Sequence, residues 1–149
     1  MRKVGKRMEK KTKIVVATHG KLAEGFKSAM NIIAGDTTEV KFLSCYTTPD
    51  FDMEETVQQV FKETDFEHEN LLVCTDLFGG SVCNWFMKHY NDHPFFLVAN
   101  VNLGILVDFL LTGEELNVEL LREKCNSDLH KPVEVSSRME DIEEDDDDL

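Results

Sequence analysis

The chain has 149 residues, 29 of them acidic and 16 basic, and a net charge of −13. That length suffices for one domain with a real core. The acidic balance argues against a nucleic-acid partner, and no apolar stretch approaches the length of a membrane span. Four cysteines, Cys45, Cys74, Cys83 and Cys125, are scattered without paired spacing, as free thiols in a reducing cytosol are. The N-terminus carries charge with no apolar run after it, so no signal peptide is expected.

Residues 1–12 are mostly basic, with Arg2, Lys3, Lys6, Arg7, Lys10 and Lys11, and read as an extension ahead of the domain. The β-branched run Ile14-Val15-Val16-Ala17 predicts a buried strand over Lys13 to Ala17. Thr18-His19-Gly20 breaks it. Leu22, Ala23, Phe26, Ala29, Met30 and Ile33 then recur at helical spacing, which predicts a helix over Leu22 to Ala34. A second strand covers Glu39 to Cys45. A second helix runs from Met53 to Lys62, with Asp52 as N-cap. The third strand spans Asn70 to Thr75, the third helix Ser81 to Tyr90, and the fourth strand Phe95 to Ala99. Leu103 to Leu111 is apolar nearly all round except Asp108, so it reads as a helix buried against the sheet or another subunit. Another helical stretch follows near Leu116 to Cys125. Pro132-Val133-Glu134-Val135 alternates as a short edge strand does. Residues 138–149, with Glu140, Asp141, Glu143, Glu144 and Asp145 through Asp148, read as a disordered acidic tail. The two charged ends are either solvated extensions or segments that attract each other or guide partners. Alternating β and α units predict an α/β, doubly wound domain over 13–137, with a mostly parallel sheet covered on both faces.

His19 falls at the carboxyl end of the first strand, just before a helix. Side chains there face the crevice where open α/β sheets do their chemistry. A neutral imidazole near pH 7 serves as nucleophile or base; the plain alternative is a polar loop histidine. Asp76 ends the third strand in the same manner. If the two strands are neighbours, a carboxylate stands beside an imidazole, orients the ring and fixes which nitrogen carries the proton. Gly79 and Gly80 expose backbone N–H groups ahead of a helix, and Ser81 is a good N-cap type with a hydroxyl to spare. Exposed amides at a helix start bind anions, although a Gly pair is also an ordinary turn. Together the three features suggest a phosphorylated histidine. Phe78 at the turn tip either docks a partner or packs in the core. The other aromatics, Phe26, Phe42, Phe61, Phe66, Trp85, Phe86, Phe95 and Phe96, read as core. Asn100 and Asn102 flank the fourth strand's end and either line the crevice or cap. His89 and His93 are four apart, but Asn91, Asp92 and Pro94 end the helix there and no third metal ligand has suitable spacing.

The chain resembles a IIA component of the mannose-family sugar phosphotransferase system (PTS). The resemblance rests on Ile14-Val15-Val16-Ala17-Thr18-His19-Gly20, on Leu71 to Ser81 with its Asp-x-x-Gly-Gly-Ser core, and on Phe96-Leu97-Val98-Ala99-Asn100-Val101-Asn102-Leu103. These motifs are collinear, and the similarity runs from about Lys13 to Ser137. It implies a sheet order 2-1-3-4 with a last strand exchanged between subunits of a homodimer. It also implies a cytoplasmic phosphoryl carrier. His19 would accept a phosphoryl group from the phosphocarrier protein HPr and pass it to a IIB component for sugar uptake and phosphorylation. Asp76 matches the aspartate that hydrogen-bonds that histidine, and Ser81 matches the serine of the Gly-Gly-Ser turn. Where the family usually has proline after this serine, Val82 stands here, a change that removes no chemical group. Neither a metal nor another cofactor is called for, and the membrane is reached only through the IIC/IID complex.

Three alternatives stay in view. The phosphocarrier domain of PTS-dependent dihydroxyacetone kinases shares the histidine, but its second turn is less similar. A non-catalytic regulatory domain could keep the same fold. An aspartate-phosphorylated receiver domain needs an acidic cluster for Mg²⁺ at the strand ends, and Thr18-His19 stands there instead.

Overall fold

The computed structural model describes residues 10–147. The elements follow the order β1 (Lys11–His19), α1 (Leu22–Ala34), β2 (Lys41–Cys45), α2 (Met53–Lys62), β3 (Glu69–Thr75), α3 (Ser81–Lys88), β4 (Phe96–Val98), α4 (Leu103–Leu111), α5 (Val118–Asn126) and α6 (Ser136–Asp147), with a 3-10 turn at Asp128–His130. The strands form one parallel sheet in the order β2-β1-β3-β4.

Successive strand residues point to opposite faces, and both faces are covered. Ile14, Val16, Leu72 and Cys74 pack with Met30 of α1 and Ile105, Leu106 and Phe109 of α4. Val15, Ala17, Leu71 and Val73 pack with Val57, Val60 and Phe61 of α2 and Val82 and Phe86 of α3. A strand buried on both sides must be apolar throughout, which is why β1 and β3 read as continuous runs and not as alternations. The eight aromatics expected in the core all lie in or against these two clusters.

Several boundaries move. β1 begins at Lys11, because Lys11 and Thr12 pair with Glu69 and Asn70; residues 11 and 12 therefore belong to the sheet and not to an extension. Residues 1–9 lie outside the described residues. α3 ends at Lys88, two residues before Tyr90. Asp52 caps α2 by accepting from the Glu55 amide at 3.1 Å, and Asn102 and Asn117 cap α4 and α5 in the same way.

The C-terminal region differs more. Pro132 to Val135 forms no strand within the single chain, and Val133 and Val135 are each 53% exposed. A lone four-residue segment gains nothing as a strand without an edge to pair with. Residues 136–147 are helical, not disordered, and the side chains of 136–142 are exposed. The segment lacks Gly and Pro, the two strongest helix breakers. Residues 148 and 149 of the expected tail lie outside the described residues. No helix among the described residues is long and apolar enough to cross a membrane.

Candidate active site

Because β1 and β3 are adjacent, their carboxyl ends bring His19 and Asp76 together. The Asp76 Oδ2 accepts the His19 backbone N–H at 2.9 Å and lies 2.9 Å from His19 Nδ1. Its Oδ1 accepts the Leu77 amide at 3.0 Å. A carboxylate only accepts hydrogen bonds, so Nδ1 carries the proton in this pairing. In the neutral ring the lone pair is then on Nε2, which has no hydrogen-bond partner among the described residues. The Asp76 side chain is 9% exposed and that of His19 is 41% exposed. The carboxylate is therefore held inside while the imidazole stays partly open to solvent.

The loop after β1 is fixed from below. Thr18, fully buried, accepts the Ala23 amide on its Oγ1 at 2.8 Å and so starts α1. Gly20 takes φ +57° and donates its N–H to the Cys45 carbonyl at 2.8 Å. That left-handed turn suits glycine and lets the chain leave the sheet directly behind His19. Beneath the site the Cys45 thiol is pushed up to about 11, chiefly by burial and further by the negative charge of Asp76. It stays protonated at neutral pH.

The turn after Asp76 lies against the imidazole. A Cβ built on Gly80 would come within 3.2 Å of His19 Cε1 and of the Leu77 Cβ, so only glycine fits there without displacement. Gly79 adopts φ +81° in open space. Gly80, not Ser81, is the N-cap of α3. Ser81 is the first helical residue, and its side chain is free to bond elsewhere: its Oγ meets the Tyr46 hydroxyl. Asn84 steadies the turn by donating Nδ2 to the Gly79 carbonyl at 3.0 Å.

Asn100 and Asn102 divide the two roles expected of them. Asn102 caps α4. Asn100, at φ +57°, accepts the Phe78 amide at 2.7 Å and so ties the end of β4 to the turn. Phe78 is 71% exposed, which removes it from the core. It lines an apolar groove of about 440 Å³ with Cys83, Met87, Tyr90, Leu97 and Ala99. His89 and His93 serve separate ends. His89 meets Asp92 at 2.6 Å and Glu54 at 2.9 Å through its two nitrogens, whereas His93 stacks on Phe66 at 4.8 Å.

Sequence reasoning missed Tyr46. Its ring stacks on His19, with centroids 5.7 Å apart and planes 27° apart. It sits at φ +63°, a conformation that costs a bulky residue about 1–2 kcal/mol. The available signal was position alone: Tyr46 directly follows β2, a neighbour of β1.

The EIIA-man family model, described as PTS system fructose IIA component, matches residues 13–125. A Klebsiella pneumoniae protein assigned as a phosphoenolpyruvate-dependent sugar phosphotransferase system permease superposes with a TM-score of 0.78 at 25% identity, covering 89% of this chain and 96% of that one. EIIA from Streptococcus agalactiae gives 0.69 at 25% identity, covering 85% and 98%. The IIA protein of a Streptococcus pneumoniae fucose utilization operon shares the fold, with 0.67 at 24% identity over 88% and 98%. Among curated proteins none matches the chain.

Proposed function

The chain belongs to the mannose-type IIA family of the sugar phosphotransferase system, and on that premise we propose that it is a phosphoryl carrier with His19 as the acceptor. The observation that carries this is the Nδ1–Asp76 hydrogen bond of 2.9 Å. In the neutral ring it leaves the lone pair on Nε2, the nitrogen not held by the carboxylate. The Nε2 lone pair forms the new bond to phosphorus as the bond to the donor breaks. The Nδ1 proton stays on the ring, and Asp76 balances the positive charge that the ring acquires. Transfer of this kind needs positioning and charge stabilisation more than a protein acid or base. The Gly79 amide and the Ser81 hydroxyl are the donors placed to receive the phosphoryl oxygens, at the N-terminus of α3; the Gly80 amide, expected to join them, is instead taken by the Leu77 carbonyl at 3.1 Å, so Gly80 serves by its lack of a side chain beside His19. The chemistry requires no resident metal or cofactor.

The family implies phospho-HPr as donor and a IIB component as acceptor, in the cytoplasm. Phe78, exposed at the rim, is the docking aromatic for these partners. The domain covers the expected 13–137 together with Lys11 and Thr12 of β1, between a basic N-terminal extension and the acidic C-terminal segment. A homodimer forms by exchange of residues 132–136. β4 is an edge strand with no neighbour on its outer side among the described residues, the apolar groove lies along it, and Val133 and Val135 are exposed. An open edge with apolar residues beside it is a pairing site.

Incubation with phosphoenolpyruvate, enzyme I and HPr, read by intact mass, tests the proposal. One acid-labile phosphoryl group per chain, absent in His19→Ala, is expected. Undiminished label in His19→Ala overturns the assignment, and no label on the wild type favours a non-catalytic regulatory domain.

A further inference from the structure

Tyr46 touches both halves of the site. Its ring stacks on the His19 imidazole, and its hydroxyl meets Ser81 Oγ on the turn that follows Asp76. Its own ring is braced edge-on by Phe51, with centroids 5.0 Å apart. The residue holds a left-handed backbone at φ +63°. A bulky side chain keeps such a conformation only when its surroundings hold it there, and such residues gather at functional sites.

Asp76 anchors the imidazole at one atom, Nδ1. One hydrogen bond leaves the ring free to rock about that anchor. Gly80 closes the approach at Cε1, and the Tyr46 ring closes a face. Serine has one hydroxyl proton and two lone pairs. When the Tyr46 O–H donates to Ser81 Oγ, one lone pair is occupied and the serine proton is left to point at an incoming phosphoryl oxygen.

We infer that Tyr46 is a positioning residue of the phosphoryl-transfer site, holding the His19 ring by stacking and orienting the Ser81 hydroxyl through its own. The inference rests on the carrier function proposed above. Tyr46 takes no part in the bonding: the Nε2 lone pair attacks phosphorus, and the donor's leaving group departs with its electron pair. With phosphoramidate as donor, that leaving group is ammonia, already carrying its third proton in the zwitterion.

The test compares wild type, Tyr46→Phe, Tyr46→Leu, Ser81→Ala and the Tyr46→Phe/Ser81→Ala double variant. Each is labelled once with phospho-HPr and once with phosphoramidate, which needs no protein partner. Ring ¹⁵N NMR of His19 is recorded in parallel. Tyr46→Phe keeps the stacked ring and should label about fivefold to tenfold more slowly, the effect of one lost hydrogen bond between neutral groups. Its His19 ¹⁵N shifts should stay at wild-type values. Tyr46→Leu should label more slowly still and broaden the His19 ring signals, because the stack is gone. The double variant should be no slower than Ser81→Ala alone, since both changes remove one relay. Wild-type labelling in Tyr46→Phe, or effects of Tyr46→Phe and Ser81→Ala that multiply, would overturn the inference. A wild type that takes label from phosphoramidate but not from phospho-HPr would defeat the carrier function alone. A wild type labelled by neither would defeat both.

Discussion

Replacing Asp76 by Asn keeps the size of the side chain and removes its charge. Three donors converge on the carboxylate: the His19 amide, the His19 Nδ1–H and the Leu77 amide. An amide has one acceptor oxygen. If that oxygen faces His19, the NH₂ confronts the Leu77 N–H. If it faces Leu77, the NH₂ confronts both His19 donors, and the ring relieves the clash by moving its proton to Nε2. That tautomer has no lone pair where the phosphoryl group must bond. The lost charge adds to this. An ion pair about 4 Å apart at an effective dielectric of about 20 is worth about 4 kcal/mol. With His19 41% exposed, solvent screening reduces this to about 2 kcal/mol. Such a loss is about 30-fold in rate. Adding the wrong tautomer brings the expected loss to about 10³–10⁴-fold, the scale for turning an imidazole-orienting carboxylate into an amide. Stability should also fall by about 1–3 kcal/mol, because one donor in a nearly buried position is left unpaired. Initial rates of labelling by phospho-HPr measure the first effect and urea unfolding the second. A variant that labels at the wild-type rate would show that Asp76 only caps the turn.

Three further outcomes follow from other parts of the structure. Gly80→Ala should slow labelling, because its Cβ would press on His19 Cε1; Gly79→Ala, at φ +81° in open space, should cost about 1 kcal/mol of stability in urea unfolding. The His89 imidazolium is held above its ordinary value of 6.5 by the hydrogen bonds of Asp92 and then Glu54, against opposing burial. Its stabilisation is complete below the unfolded pKa and lost as pH rises through the higher native one. The melting temperature of wild type should therefore drop over that window by more than that of His89→Gln, and parallel curves would refute the clamp. Truncation after Lys131 should give a monomer or an unstable protein by sedimentation, whereas truncation after Arg138 should leave the dimer and labelling intact; a stable dimer lacking 132–138 would exclude strand exchange.

The pairing at the centre of the site was legible because both partners interrupt apolar runs. His19 ends Ile14-Val15-Val16-Ala17-Thr18, and Asp76 ends Leu71 to Thr75. A polar residue that terminates a doubly buried strand has one place to go, the sheet's carboxyl edge. The boundaries of α1, α2 and α4 were equally readable from spacing and caps. What stayed hidden depended on tertiary pairing. Lys11 and Thr12 carry no strand pattern, and only their register with Glu69 and Asn70 makes them sheet residues. Tyr46 sits among polar residues, and its meeting with His19 requires both the strand order and a left-handed turn that tyrosine seldom adopts. The acidic run over 138–147 was misread because composition weighs charge, whereas the local chain contains no helix breaker. The alternation at Val133 and Val135 signals a strand, but a strand is a property of two partners.

The nitrogen that bears the phosphoryl group tests the central claim most directly. Phosphorylated protein labelled with ¹⁵N in its histidine rings can be read by NMR for phosphorus–nitrogen coupling at each ring position. Asp76 holds Nδ1 at 2.9 Å, so the coupling is expected at Nε2 of His19, with a protonated Nδ1. Coupling at Nδ1, or on a histidine other than His19, would contradict it.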